Sequence, residues 1–270
     1  LDGKAVFHAL QYLPVFEATN SRFPFHLLTG RLRDQWHGMS RSGRVPTLFE
    51  HSPEPSLTMH PLDAERRSLK VGELLKISSK RGSLILPLDV SDTVASGTVF
   101  AAMHWNGQFL NSGGINEVCS SAVDDKSAQP ELKHAAVRVE KAELPWKLVA
   151  AVTEMHAGDL LAQHAAVQPL LKECAYASIT LQGRKTPMLV LRAADLAAPT
   201  GWLERLYGAL NILPGADVLQ YQDAKRGLSK RVAWRDDVLS GFILAGDTAG
   251  SEALLAQLGT RWLEPRINVF

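Results

Sequence analysis

The chain has 270 residues, of which 46% are hydrophobic and 21% charged, and its formal net charge is +1. That length gives room for one large domain or two ordinary ones, each able to bury its own core. The near-zero charge excludes a global electrostatic attraction to nucleic acid or to an anionic membrane, so any basic site has to be local.

In chain order, residues 1–22 form an entry segment with one strand-like run, Ala5 to Leu10, followed by Pro14 and a polar stretch. The apolar run from Phe23 to Leu28 reads as a buried strand that should end at Thr29 and Gly30. After it come Arg31, Arg33, Arg41, Arg44 and His37, opposed by the single acid Asp34 and interleaved with Trp36, Gly38, Ser40 and Gly43. Glycine lets the main chain approach a ligand, hydroxyls and backbone N–H groups bond phosphate oxygens, and arginine supplies a planar fork for them. A charge run alone is more often a solvated loop, but solubility requires neither a tryptophan nor the repeated glycines. The run therefore predicts a cradle for a phosphorylated ligand.

Downstream, Val45 to Phe49 predicts a short helical turn, Ser56 to His60 a short strand, and Pro61 the first position of a helix with Asp63 and Glu65 in its first turn. A β pattern then runs through Leu74–Ser78, Ser83–Val90 and Thr98–Met103, and after a glycine-rich loop it closes with Ala135–Val139. Short strands with turn signals suggest a barrel or sandwich. The long loop between the last two strands carries His104, Trp105, Asn116 and Lys133, residue types able to complete a site opposite the basic cradle.

Lys141 to Trp146 reads as a linker, because Pro145 ends the β pattern. Beyond it, a helix is predicted over Gly158–Glu173 and strands over Ala177–Leu181 and Met188–Arg192. A second helix over Trp202–Leu210, strands near Val218–Asp223, Leu228–Trp234 and Ser240–Ala245, and a closing helix over Ser251–Leu258 follow. This is an α+β unit with strands in a meander. Asp247 is expected as a helix N-cap and Arg226 as a turn residue.

Only two cysteines occur, Cys119 and Cys174, in unrelated contexts; with no CxxC pair and no HExxH, neither a zinc site nor an iron–sulfur cluster is supported. Both are expected to be reduced, partly buried thiols. No apolar run approaches the ~20 residues of a membrane span, and the N-terminus lacks the regions of a signal peptide. A cytoplasmic location is expected. The chain begins at Leu1 rather than methionine, which leaves an upstream segment open.

The set Thr29, Gly30, Arg31, Trp36, His37, Ser40 and Arg41, then Met103, His104, Trp105, Asn116 and the stretch from Gln129 to Lys133, resembles the C-terminal cofactor domain of molybdenum-dependent nitrate reductases of the DMSO-reductase superfamily. The cytoplasmic assimilatory branch is the most similar. The resemblance covers about residues 20–141 and implies a double-psi β-barrel that binds a molybdopterin guanine dinucleotide. It also implies that Thr29, Gly30, Arg31, Trp36, His37, Ser40 and Arg41 contact the dinucleotide, and that Asn116 and Lys133 contact the pterin end. His104 and Trp105 would face the substrate. Gly38 and Ser40 stand where relatives often have threonine.

That family holds a [4Fe-4S] cluster and molybdenum through residues absent here. The resemblance therefore implies the last part of an enzyme, inactive in isolation, whose partners are the remaining N-terminal domains and an electron-donor protein or redox domain. Tyr221 to Asp247 resembles the small α+β domain near the C-terminus of flavin-dependent nitrite reductases and related NADH oxidoreductases, which implies a docking module. The expected division is a barrel domain with its entry segment over 1–141, a linker over 142–146 and an α+β domain over 147–270. Formate dehydrogenases share such a barrel, so nitrate is the leading substrate and formate the alternative. A stand-alone nucleotide- or RNA-binding module is a further alternative, disfavoured because the basic residues concentrate in one loop. A hydrolase using His37 or His104 as base lacks an identifiable partner.

Overall fold

A computed structural model describes residues 3–7, 9 and 11–261. Strands β1 (Phe25–Gly30), β2 (Leu57–Met59), β3 (Leu74–Ser78), β4 (Ser83–Val90), β5 (Thr98–Ala102) and β6 (Ala135–Lys141) close into a barrel in the order β1-β5-β2-β4-β3-β6. β1 runs parallel to β5 and β2 parallel to β4, and the other neighbours are antiparallel. Alternate residues fill the barrel: Phe25, Leu27, Leu57, Met59, Leu75, Ile77, Leu86, Val99 and Val137 are all buried. This period-two pattern drives closure, since every strand offers one apolar face and a closed sheet leaves no edge.

Between β2 and β3, helix α1 (Pro61–Arg66) starts at Pro61 as predicted, and the His60 ring accepts the Leu62 N–H. The run Val45–Phe49 gives a short 3-10 helix over Pro46–Phe49. The N-terminal run differs from its prediction. Ala5, Val6, Phe7 and Ala9 have no regular structure, and His8 and Leu10 lie outside the described residues. Val6 and Phe7 are 77% and 93% exposed, so the alternation there has no partner strand to cover it. The segment is instead tied down at Glu17, whose buried carboxylate meets Lys80 at 2.8 Å and Arg81 at 2.9 Å.

The second unit is a six-stranded antiparallel sheet in the order β10-β11-β12-β7-β9-β8. Its strands are β7 (Trp146–Thr153), β8 (Tyr176–Gln182), β9 (Met188–Asp195), β10 (Val218–Asp223), β11 (Leu228–Arg235) and β12 (Val238–Ala245). Helices α2 (Glu154–Ala157), α3 (Leu160–Leu171), α4 (Trp202–Ala209) and α5 (Ser251–Gln257) accompany it. Trp202 of α4 is fully buried, and its indole N–H donates to the Leu170 carbonyl at 2.9 Å, locking α4 onto α3. On the opposite face Val190, Trp234, Phe242 and Leu244 pack with Leu254 of α5.

β7 has no counterpart among the strands expected from the sequence, and Trp146 falls in the expected linker. In fact Trp146 is the first residue of this central strand, paired with Asp195. Only β10 to β12 form the predicted meander; β7 lies between β12 and β9. The two sheets are separate, yet one apolar cluster runs through both, from Leu27 and Val99 in the barrel to Ile179 and Trp202 beyond it.

Candidate functional site

Strand direction gathers the predicted residues at one mouth of the barrel. Because β1 and β5 are parallel with Gly30 opposite Ala102, the loops that follow them leave side by side, and the Met103 N–H bonds the Gly30 carbonyl at 2.9 Å. β6 is antiparallel to β1 with Ala135 opposite Leu27, so the residues just before it arrive at the same mouth. There the Thr29 hydroxyl donates to the Leu132 carbonyl, and a His26 ring nitrogen lies 3.2 Å from the Lys133 carbonyl.

The basic loop is held in shape by polar side chains, of which Gln35 and Ser42 are buried. Trp36 N–H donates to the Ser42 hydroxyl at 3.1 Å, the Gln35 amide donates to the Leu48 carbonyl at 3.0 Å, and the Asn106 amide donates to the Gly38 carbonyl at 2.8 Å. Met39, buried to 1% exposure, pins the middle of the loop to the core. His37 and Met39 both have positive φ, 44° and 58°, an uncommon conformation for residues with side chains. Gly43 packs so closely on the Phe109 ring and Met39 that no Cβ fits there.

His104 is fully buried. One ring nitrogen, Nε2, accepts the Leu32 N–H at 2.8 Å, and the other, Nδ1, lies 2.5 Å from the His37 carbonyl. Burial pushes its pKa down, the contact with the His37 carbonyl pulls it up, and the charges of Arg31 and His37 lower it further. The sequence placed His104 on the substrate side. With no surface and both nitrogens engaged, it faces the loop backbone instead. Trp105 is also buried, at 4% exposure, and its indole nitrogen has no protein partner. It lines an outer groove of about 800 Å³ with Leu32, Phe100 and Ala102.

The surface of the loop is cationic. Arg33 is 73% exposed and paired with Asp34 at 2.8 Å, and that hydrogen bond holds the Asp34 carboxyl below its usual range. Among the described residues, no carboxylate forms an ion pair with Arg31, Arg41, Arg44 or Lys133. The Arg31 guanidinium lies 5.4 Å from the centre of the Trp36 ring, which is itself 61% exposed and meets the His37 ring edge-on at 4.6 Å. An exposed indole backed by a guanidinium is a surface on which flat or phosphorylated groups can rest.

Of the predicted set, Arg31, Trp36, His37, Ser40, Arg41, Asn116 and Lys133 are exposed, whereas Thr29 and Gly30 are buried at the strand end. Asn116 lies in a 3-10 turn over Ile115–Glu117. The residues that shape the loop, Gln35, Met39, Ser42 and Asn106, were not singled out from the sequence. Asn106 preceding Gly107 was the only local hint.

The second unit reaches the same mouth. Leu110 forms a β-bridge with Ser178, the Ile179 N–H bonds the Phe109 carbonyl at 2.9 Å, and the Gln168 amide on α3 donates to the Gly107 carbonyl at 2.7 Å. Burial raises the Cys119 thiol pKa and pushes that of Cys174 up to about 12. Among the described residues, no cluster of three or more His, Cys, Asp or Glu side chains is placed to hold a metal ion.

Residues 25–136, from the first residue of β1 to the second of β6, match the family described as "Molydopterin dinucleotide binding domain". The chain is 37% identical over 146 residues to a nitrate reductase of Klebsiella oxytoca, an alignment covering 54% of this chain and 17% of the relative. It is 35% identical over 143 residues to a nitrate reductase of Symbiobacterium thermophilum, covering 52% of this chain and 19% of the relative. These alignments thus span less than a fifth of either relative. Among solved structures, acetylene hydratase from Pelobacter acetylenicus aligns with a TM-score of 0.39 at 19% identity, over 44% of this chain and 18% of that one. Residues 25–136 therefore match a molybdopterin dinucleotide binding domain, and about half of the chain is similar in sequence to nitrate reductases.

Proposed function

We propose that this barrel mouth binds the guanine form of the molybdopterin dinucleotide in a molybdenum oxidoreductase that reduces nitrate to nitrite. The observation that carries the reading is the loop after β1: Arg31, Arg41 and Arg44 lack carboxylate partners among the described residues and stand on a backbone fixed from within. Such a loop fits a pyrophosphate-bridged ligand, because its charge needs no rearrangement to meet two phosphates. Arg31, Arg41, Ser40, Trp36 and His37 would hold the dinucleotide from the loop surface, with Thr29 and Gly30 setting its start. Lys133 and Asn116 would approach the pterin end.

When bound, the cofactor supplies the molybdenum redox chemistry of the reaction. The chain's own residues bind and orient it, and the barrel covers one side. The remainder of the enzyme would supply the iron–sulfur cluster, the metal ligand and the substrate pocket. In this reading the barrel is of the double-psi type, a topology supported by its two parallel pairs, and the protein is cytoplasmic. The α+β unit would dock an electron-donor protein or redox domain. The same cradle would serve a relative acting on formate, since nothing at this mouth selects the substrate.

The test is calorimetric titration of the chain with guanosine diphosphate as probe. Saturable binding that weakens in both Arg31→Ala and Arg41→Ala supports the reading. Absence of binding, or affinity equal in all three proteins, overturns it.

A further inference from the structure

The two hydrogen bonds of His104 define a chemical state. A backbone N–H can only donate, so the ring nitrogen facing Leu32 must be bare; a carbonyl can only accept, so the nitrogen facing His37 must carry the proton. The ring is therefore neutral, with its hydrogen on Nδ1. It sits one residue beyond Met103, whose N–H is bonded to the last residue of β1, so it is rigidly placed relative to the start of the basic loop.

Leu32 directly follows Arg31, and His37 directly follows Trp36, so the two held backbone groups bracket the segment that carries the indole and adjoin the residue that carries the guanidinium. His37 is one of the positions held in the left-handed region, at φ 44°. Such a backbone persists where its surroundings over-determine it. The bond from Nδ1 to the His37 carbonyl is part of that constraint, together with the Asn106 amide on the next residue.

We propose that His104 is the positioning residue of the cofactor loop, a neutral imidazole latch that joins Leu32 to His37 and so sets Arg31 and Trp36 for one phosphorylated ligand. The ligand's identity rests on the function proposed above, whereas the latch rests on the ring geometry alone. The latch is also acid-sensitive. Protonation would turn Nε2 into a donor pointed at the Leu32 N–H, and the charged groups acting on the ring, Arg31 and His37, oppose a further positive charge. Because the folded ring titrates below its ordinary value of 6.5, the latched state is fully favoured above that value and is progressively lost as pH falls below it.

The experiment uses the intact chain labelled with nitrogen-15. At neutral pH, long-range nitrogen–proton correlation should show one protonated ring nitrogen, Nδ1, and one bare nitrogen, Nε2, for His104. The opposite tautomer or an imidazolium overturns the proposal, and this measurement needs no variant. Replacing His104→Phe keeps a buried ring without either bond, and should speed exchange of the Leu32 amide and weaken guanosine diphosphate binding by about tenfold or more each. His104→Asn retains a donor near the position of Nδ1 and should recover part of the loss. In the wild type, Leu32 protection and affinity should decline together below pH 6.5, a step missing from the His104→Phe protein. Unchanged affinity and exchange in that variant refute the latch. If the wild type fails to bind guanosine diphosphate while the tautomer and the Leu32 protection are as described, the ligand reading fails and the latch stands.

Discussion

The side-chain amide of Asn111, on the loop after β5, donates to the carbonyls of both Cys174 and Ala175, at 2.9 and 3.0 Å, where the chain enters β8. The Asn111 N–H also bonds the Ala177 carbonyl at 3.0 Å, so the loop runs along the β8 edge like a short extra strand. Removing the amide in Asn111→Ala leaves those two carbonyls without their donor and should cost about 1–3 kcal/mol. Thermal denaturation measures the loss. Since one apolar cluster spans both sheets, wild type and variant should each unfold in a single transition, and separate melting of the two units would contradict the shared core.

Glu17 gives a pH-dependent prediction. The hydrogen bond from Lys80 holds its carboxyl below the ordinary value of 4.5, and Arg81 adds to the effect while desolvation opposes it. A carboxylate with a depressed folded pKa contributes stability above its unfolded pKa and loses that contribution as pH falls through the folded value. Glu17→Gln should therefore melt at a lower temperature than wild type at neutral pH, with the gap closing as pH is lowered below 4.5. A gap that stays constant with pH would show that the ion pairs contribute nothing.

The arginines of the basic loop should not be equivalent. In the complete enzyme, Arg31→Ala or Arg41→Ala should remove a charge-assisted contact worth about 1.5–3 kcal/mol and reduce bound molybdenum and guanine. Arg33 already pairs with Asp34 and is largely exposed, so Arg33→Ala should leave both contents near wild type. Metal analysis and nucleotide release after denaturation separate the three. Equal losses would mean that general positive charge matters rather than position.

Gly43→Ala tests the packing of the cradle. The added methyl would meet the Phe109 ring and Met39, and such overpacking costs about 1–3 kcal/mol. Lower thermal stability with normal secondary structure is expected. Full stability would show that Phe109 can move aside.

Much of the fold could be read in the sequence because it follows local periodicity. β3 and β4 run from Leu74 to Ser78 and from Ser83 to Val90, as their alternation indicates. β7 escaped notice for a physical reason: its residues from Ala150 to Thr153 are buried on both faces, so the run carries no alternation there, and the preceding Pro145 suggested a break. Asp247 shows another limit of local reading. Expected as a helix cap, it instead pairs with Lys230 at 2.8 Å and accepts the Ala249 N–H, while Gly250 occupies the cap position of α5.

The basic loop was legible as a charge pattern with glycines and aromatics. Its internal supports were not, because Ser42, Gln35 and Asn106 act through pairings with the backbone that only the folded chain creates. His104 illustrates this best. A histidine at a strand end suggests chemistry, and only its two partners 72 and 67 positions away reveal an anchor.

The direction of the strands bears on how anything can approach this protein. β6 begins at the cradle and ends at Lys141 on the far mouth, so the chain departs for the second sheet from the end opposite the arginines. Yet the β8 edge returns to Leu110 and Asn111, near the cradle. The second sheet thus stands alongside the barrel like a splint reaching from one end to the other. Its other edge, β10, lies five strands away from the β8 edge that meets the barrel loop.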